Sequence, residues 1–123
     1  MPDVPSPHQV VDRYFQAMRA GSAAEHELMA LFAEDARYTE PFTGQARTHE
    51  GQAAIRRCFV DAWRNPPVDL ELVVDRVDVD GDRVQARWTC HSPSFPGPVS
   101  GRDAYVIRDG KIAQLVVTFA EPS

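Results

Sequence analysis

The sequence predicts an α+β fold, with three helices packed on one face of a strongly bent antiparallel sheet. Three observations predict it. Apolar residues recur with helical period over much of the first half of the chain. From Leu70 onward they alternate with period two. The alternation Leu70, Leu72, Val74 then resumes in the opposite phase at Val77 and Val79, as it does where a β-bulge near Asp75-Arg76 bends a strand.

The elements follow in order. Ser6-Pro7-His8-Gln9 reads as a capping box with proline at the first helical position, and Val10, Val11, Tyr14, Phe15 and Met18 form the apolar stripe of the first helix. Gly21 ends it. Ser22 and Glu25 read as a second capping box, opening a shorter helix that carries Leu28, Met29, Leu31 and Phe32. A short strand is predicted over residues 36–40, stopped by Pro41, and a polar loop runs through Gly44. Gly51 opens the third helix, with Ile55, Cys58, Phe59, Ala62 and Trp63 on one face, and Asn65-Pro66-Pro67 breaks it. Four long strands follow. Asp80-Gly81 and Asp109-Gly110 are hairpin signals, and the proline-rich segment 92–98 is a loop. Leu115-Val116-Val117 is apolar on both phases and predicts burial on both faces of the last strand, hence a homodimer packed through the sheet.

At 123 residues the chain reads as one domain over 1–123, with residues 1–6 as a flexible tail. The hydrophobic fraction of 43% and charged fraction of 25% are those of a soluble globular protein. A net charge of -5 argues against nucleic acid and against an anionic membrane surface. No signal peptide or membrane span is visible, so the expected location is the cytoplasm. Cys58 and Cys90 form no C-x-x-C pair and the four histidines show no ligand spacing, so no metal or cofactor is expected. No G-x-S-x-G elbow accompanies Ser92, Ser94 or Ser100.

Three polar residues sit where the periodicity points inward. Glu40 ends the face of Ala36 and Tyr38, Asp103 shares a face with Tyr105 and Ile107, and Tyr14 lies in the first helical stripe. An unpaired carboxylate on an apolar face is costly, so Glu40 is exposed, paired, neutral or functional. The bland alternatives are a strand-end Glu40 turned to water, a bulge that flips Asp103 outward, and a core Tyr14.

The order of elements, with "VVDRYFQAM", "LMALFAEDARYTEP", "EGQAAIRRCF" and "GRDAYVIRDGKI", resembles the cone-shaped NTF2-like superfamily over nearly the whole chain, within it the SnoaL-like and ketosteroid-isomerase-like branches. That resemblance implies roles. Tyr14 of "DRYF" falls at the family's helix-one tyrosine, Glu40 of "TEP" at its general base, and Asp103 of "GRDAYVI" at its second oxyanion donor. Glutamate stands at 40 where the well-known isomerases have aspartate. Glu40 would remove a proton next to a ligand carbonyl, while Tyr14 and a protonated Asp103 donate hydrogen bonds to the enolate. The implied ligand is a small hydrophobic molecule such as a ketone, steroid or polyketide. Tyr38, Phe42, Phe59, Trp63, Trp88, Phe95 and Phe119 are the large residues able to line its pocket, with Phe95 as a gate. Two alternatives stand beside this reading. One is a SnoaL-like polyketide cyclase or other small-pocket enzyme, in which His49 or His91 would supply an inward histidine; the other is a non-catalytic ligand-binding or dimerisation module.

Overall fold

The computed structural model of the protein describes residues 4–120. Helix α1 (Pro7–Ala20) starts at Ser6, whose hydroxyl accepts from the Gln9 N–H while the Gln9 side chain accepts from the Ser6 N–H. Val10, Val11, Tyr14, Phe15 and Ala17 are its buried stripe. Of the tail expected over 1–6, residues 1–3 lie outside the described residues. Val4 and Pro5 lie so close to Gly110 that a Cβ there would meet both at 2.8 Å.

The capping box expected at Ser22 does not form. A 3-10 turn (Gly21–Ala24) leads into α2 (Glu25–Ala30), which has no side-chain cap. Phe32 is not helical either. It opens β1 (Phe32–Glu40), pairing with Ile112 before an irregularity brings Arg37 into register with Gln114. Next comes β2 (Arg47–Glu50), an element absent from the sequence reading because its residues carry no apolar alternation. It is a polar edge strand, ordered by pairing with β1 and by a Thr39–Thr48 hydroxyl contact of 2.9 Å. Helix α3 (Gln52–Trp63) starts at Gly51, whose φ of 84° favours glycine.

The remaining strands are β3 (Glu71–Asp80), β4 (Arg83–His91), β5 (Val99–Arg108) and β6 (Lys111–Phe119). The register of β3 on β4 shifts between Val74 and Arg76, at the bulge position the phase change predicted. Asp109 and Gly110 both have positive φ, as a two-residue type I′ turn requires. The six strands form one curved sheet in the order β2-β1-β6-β5-β4-β3. Four of its pairs are antiparallel. The β1–β6 pair is parallel, because β6 returns beside β1 only after the whole intervening chain has crossed over.

The helices cover one face of this sheet, and that face is the core. Its rows follow from the register. Tyr38 pairs with Leu115, Leu115 with Tyr105, and Tyr105 with Val84. In the next row Val117 pairs with Asp103 and Asp103 with Ala86. Glu40 follows Thr39, the partner of Val116, and so enters that row on the far side of Val117. In the third row Gly101 lies between Phe119 and Trp88. Val116 is half-buried on the opposite face.

Gly101 is required by packing. A Cβ built there lies 2.2 Å from Trp88 Cζ2, so the indole lies across the β5 backbone. Gly101→Ala should therefore expel the ring, costing about 1–3 kcal/mol of stability. The expected readout is a lowered denaturation midpoint together with a red-shifted tryptophan emission; an unchanged spectrum would show that the ring has stayed in place.

Candidate acid-base site

Both inward carboxylates are buried: Glu40 is 1% exposed and Asp103 3%. The row that contains them places their backbones two strand spacings apart, about 10 Å. Each is held by its own set of donors.

Glu40 ends β1 just before Pro41. Its Oε1 accepts from the Phe42 N–H at 2.9 Å. Its Oε2 accepts from Arg47 Nε at 2.9 Å and lies 2.9 Å from His49 Nε2. The Cys58 thiol of α3 reaches the same oxygen at 4.0 Å. Arg47 and His49 are two apart on β2, so the pleat aims both at Glu40. Burial pushes the Glu40 carboxyl up, but the hydrogen bonds from His49, the Phe42 N–H and Arg47 outweigh it and hold the group below its ordinary value. Burial, reinforced by the Glu40 charge, pushes the Cys58 thiol up to about 11.

Asp103 has fewer donors. Trp88 Nε1 donates to Oδ1 at 2.8 Å and the Tyr105 hydroxyl to Oδ2 at 2.6 Å. Burial raises its pKa to about 6, against the pull of Tyr105 and Trp88. The two carboxyl groups are thus displaced in opposite directions by their surroundings.

Tyr14 packs edge-on against Tyr105, with ring centroids 5.6 Å apart, and against Phe32 at 6.3 Å. Burial, then the fields of Tyr38, Asp103 and Cys58, raise its pKa well above the usual tyrosine value. The charge of Asp103 bears on Tyr14 and Tyr38, and that of Glu40 bears on Tyr38 and Cys58. Tyr38 therefore lies between the two clusters. Among the described residues no buried side-chain nitrogen or oxygen lacks a hydrogen-bond partner.

The residues expected to line a pocket divide into four groups. Tyr38, Phe59 and Trp63 form a stacked column, with centroids 5.1 and 5.9 Å apart, and His49 continues it at 5.9 Å from Tyr38. Trp88 lies over Gly101 and on Asp103. Phe42 and Phe119 meet edge-on at 5.6 Å and are 54% and 45% exposed, at the end of the sheet beyond the two carboxylates. Phe95 is half-buried in the loop 92–98, which Ser92 and Ser94 tie to Val68. Two surface cavities, of about 220 and 410 Å³, lie away from this interior, lined by residues such as Arg87 and Arg102 in one and Asp69 and His91 in the other.

Sequence reasoning did not identify Arg47, Cys58, Trp88 or Tyr105 as partners of the carboxylates. The period-two spacing of Arg47 and His49 after the loop was the available signal for β2.

The SnoaL-like domain profile matches residues 11–115, nearly all of the described chain. The chain belongs to the SnoaL-like family. Solved structures agree with that assignment. A candidate ketosteroid isomerase from Kribbella flavida DSM 17836 is 23% identical over 95% of this chain and 79% of its own, with a TM-score of 0.76. A candidate polyketide cyclase from Sinorhizobium meliloti is 29% identical over 89% and 93%, with a TM-score of 0.70. TerC, co-crystallised with polyporic acid, is 20% identical over 94% and 92%, with a TM-score of 0.76. No curated protein matches the chain. Among the described residues of this SnoaL-like domain, no helix is long and apolar enough to cross a membrane.

Proposed function

We propose that this SnoaL-like domain is a small-pocket enzyme that moves a proton alpha to the carbonyl of a small hydrophobic ketone, in the manner of a ketosteroid isomerase. One observation carries the reading: two buried carboxyl groups share an interior row across Val117, and their surroundings lower the pKa of one and raise that of the other. Such opposed pairs divide base from acid. Glu40 is the base, and Asp103 and Tyr14 are the donors to the enolate oxygen. The α proton passes to a Glu40 oxygen, the electron pair moves onto the carbonyl oxygen, and the proton returns at the γ carbon. No cofactor takes part. Arg47 must release Oε2 for Glu40 to accept a proton, and its side chain, 49% exposed, has water to move into.

The ligand enters past the Phe42–Phe119 pair and lies against Trp63 and Trp88. Likeness to the Kribbella protein and to TerC with its bound polyporic acid supports a flat hydrophobic ligand of this kind. The protein acts in the cytoplasm as a homodimer, packed through the outer sheet face around Val116. Light scattering at micromolar concentration tests this, and a monomer would overturn the assembly.

A second reading has its own observation. With Nε2 against Glu40 Oε2, His49 has its other ring nitrogen left to exchange a proton, the arrangement of a carboxylate-oriented imidazole. A cyclase acting on a polyketide carbonyl would use it, and the Sinorhizobium likeness supports that class.

The experiment follows conversion of a β,γ-unsaturated ketone to its conjugated isomer by ultraviolet absorbance, with hydrogen exchange alpha to a carbonyl as the wider test. Glu40→Gln should slow exchange by about 100-fold or more while a phenolic enolate mimic still binds. Loss in His49→Gln with Glu40→Gln still active would favour the cyclase chemistry. Ligand binding without exchange in the unmodified protein would leave a binding module.

A further inference from the structure

We propose that Glu40, His49 and Cys58 form a divalent-metal site with a preference for zinc, alternative to the guanidinium that Arg47 places there. The proposal does not rest on the enzymatic reading, and an ion on Glu40 would compete with proton transfer to the same carboxylate. The three residues come from three elements, β1, β2 and α3, and none is spaced as a ligand motif in the chain. The fold brings their donor atoms within 4.8 Å of one another. Glu40 Oε2 is 2.9 Å from His49 Nε2 and 4.0 Å from Cys58 Sγ.

These separations bracket what a tetrahedral ion needs. Bonds of about 2.0–2.1 Å to nitrogen and oxygen and about 2.3 Å to sulfur place ligand atoms about 3.3–3.6 Å apart. The Glu40–His49 contact has to open by about half an ångström and the Glu40–Cys58 contact to close by about as much. The local structure permits both movements. His49 sits on a four-residue edge strand paired only to β1, and Cys58 is half-buried at the helix surface. One imidazole, one thiolate and one carboxylate make a donor set that suits zinc better than magnesium or calcium. Three protein ligands leave a fourth position for water or a ligand oxygen.

Arg47 is the competitor. Its guanidinium neutralises Glu40 through Oε2, the oxygen shared by the three donors, and its side chain is half exposed, so it can turn to solvent when an ion takes over that charge. On binding, the metal replaces the thiol proton of Cys58, which passes to water. The imidazole keeps its stack on Tyr38, which fixes the plane in which Nε2 points.

The test titrates the full chain, freed of metal, with cobalt(II) as the spectroscopic probe. The expected result is one equivalent bound, a thiolate-to-cobalt charge-transfer band in the near ultraviolet, intense visible bands of tetrahedral cobalt, and displacement by zinc. Loss of an outer-shell partner alone costs about 10–100-fold in metal affinity, so His49→Ala and Cys58→Ala should each weaken binding by about 100-fold or more, with the charge-transfer band absent in Cys58→Ala. Arg47→Gln should bind more tightly than the unmodified chain. Cys90→Ser should keep the band. Should the Cys58 or His49 variants fail to fold, the band in the unmodified chain and its retention in Cys90→Ser still decide the matter. No charge-transfer band up to millimolar cobalt at pH 8, or a band lost in Cys90→Ser, overturns the site.

Discussion

Asp103→Asn is expected to stabilise the protein at pH 8 by up to about 3 kcal/mol and to change nothing below about pH 4. The carboxyl is raised from 3.8 to about 6 in the folded protein. The native state therefore binds more protons than the unfolded chain between those values, and stability falls as pH rises through that window. The cost is complete above it. The displacement is about two pH units at about 1.4 kcal/mol each, giving the upper figure. Asparagine avoids the penalty without losing the contacts. Its carbonyl oxygen accepts from Trp88, and its amide donates to the Tyr105 oxygen, reversing the bond that Tyr105 makes to Asp103. For a domain of this size the gain corresponds to roughly 10 °C in Tm. Thermal melts of both proteins at pH 4, 5 and 8 measure it. A Tm difference independent of pH would mean that burial does not raise Asp103. In the activity assay the same substitution should do modest damage, because an amide still donates to an oxyanion. Asp103→Leu, which strands Trp88 and Tyr105 as well, should lose about 100- to 1000-fold.

Glu40→Gln should lower proton transfer by about 100- to 10,000-fold, the range that a positioned general base contributes. The amide keeps the shape and loses the basicity. It also keeps one acceptor where Glu40 presents two to the Phe42 N–H, Arg47 and His49, and its NH2 group points a donor at one of them. One mismatched buried donor costs about 1–3 kcal/mol. Arg47 escapes to water more readily than the Phe42 N–H, so the low end of that range applies if the amide turns its oxygen toward Phe42. Urea denaturation beside the kinetic assay separates the two losses. Equal rates for Glu40→Gln and the unmodified protein would remove Glu40 from the chemistry and transfer the base to His49.

The sequence by itself determined the layers of this protein. Ser6 and Gln9 cap α1 as their spacing indicates, the phase change at Asp75-Arg76 marks a real shift in register, and Asp109-Gly110 makes the turn that its dipeptide favours. These features are local, and caps, bulges and turns depend on residues within a few positions of one another. The period-two faces likewise place Glu40 and Asp103 inside, since alternation fixes which side of a sheet a residue faces. Where local chemistry was outvoted, the reading went astray. Ser22 and Glu25 could cap a helix, but the chain takes a 3-10 turn there, and Phe32 leaves the helical pattern to pair with Ile112. The strand Arg47–Glu50 has no hydrophobic signature because it is an edge, held by hydrogen bonds to β1 and by contacts with Glu40. Only the tertiary structure decided that β6 runs parallel to β1, and that ordering is what sets Val117 between the two carboxylates. It alone decided their partners as well. Arg47, His49 and Cys58 reach Glu40 from 7, 9 and 18 residues away, and Trp88 crosses Gly101 to reach Asp103. Whether a buried carboxylate stays charged depends on the donors around it. Those donors are assembled by sheet order and helix packing, which no spacing along the chain encodes.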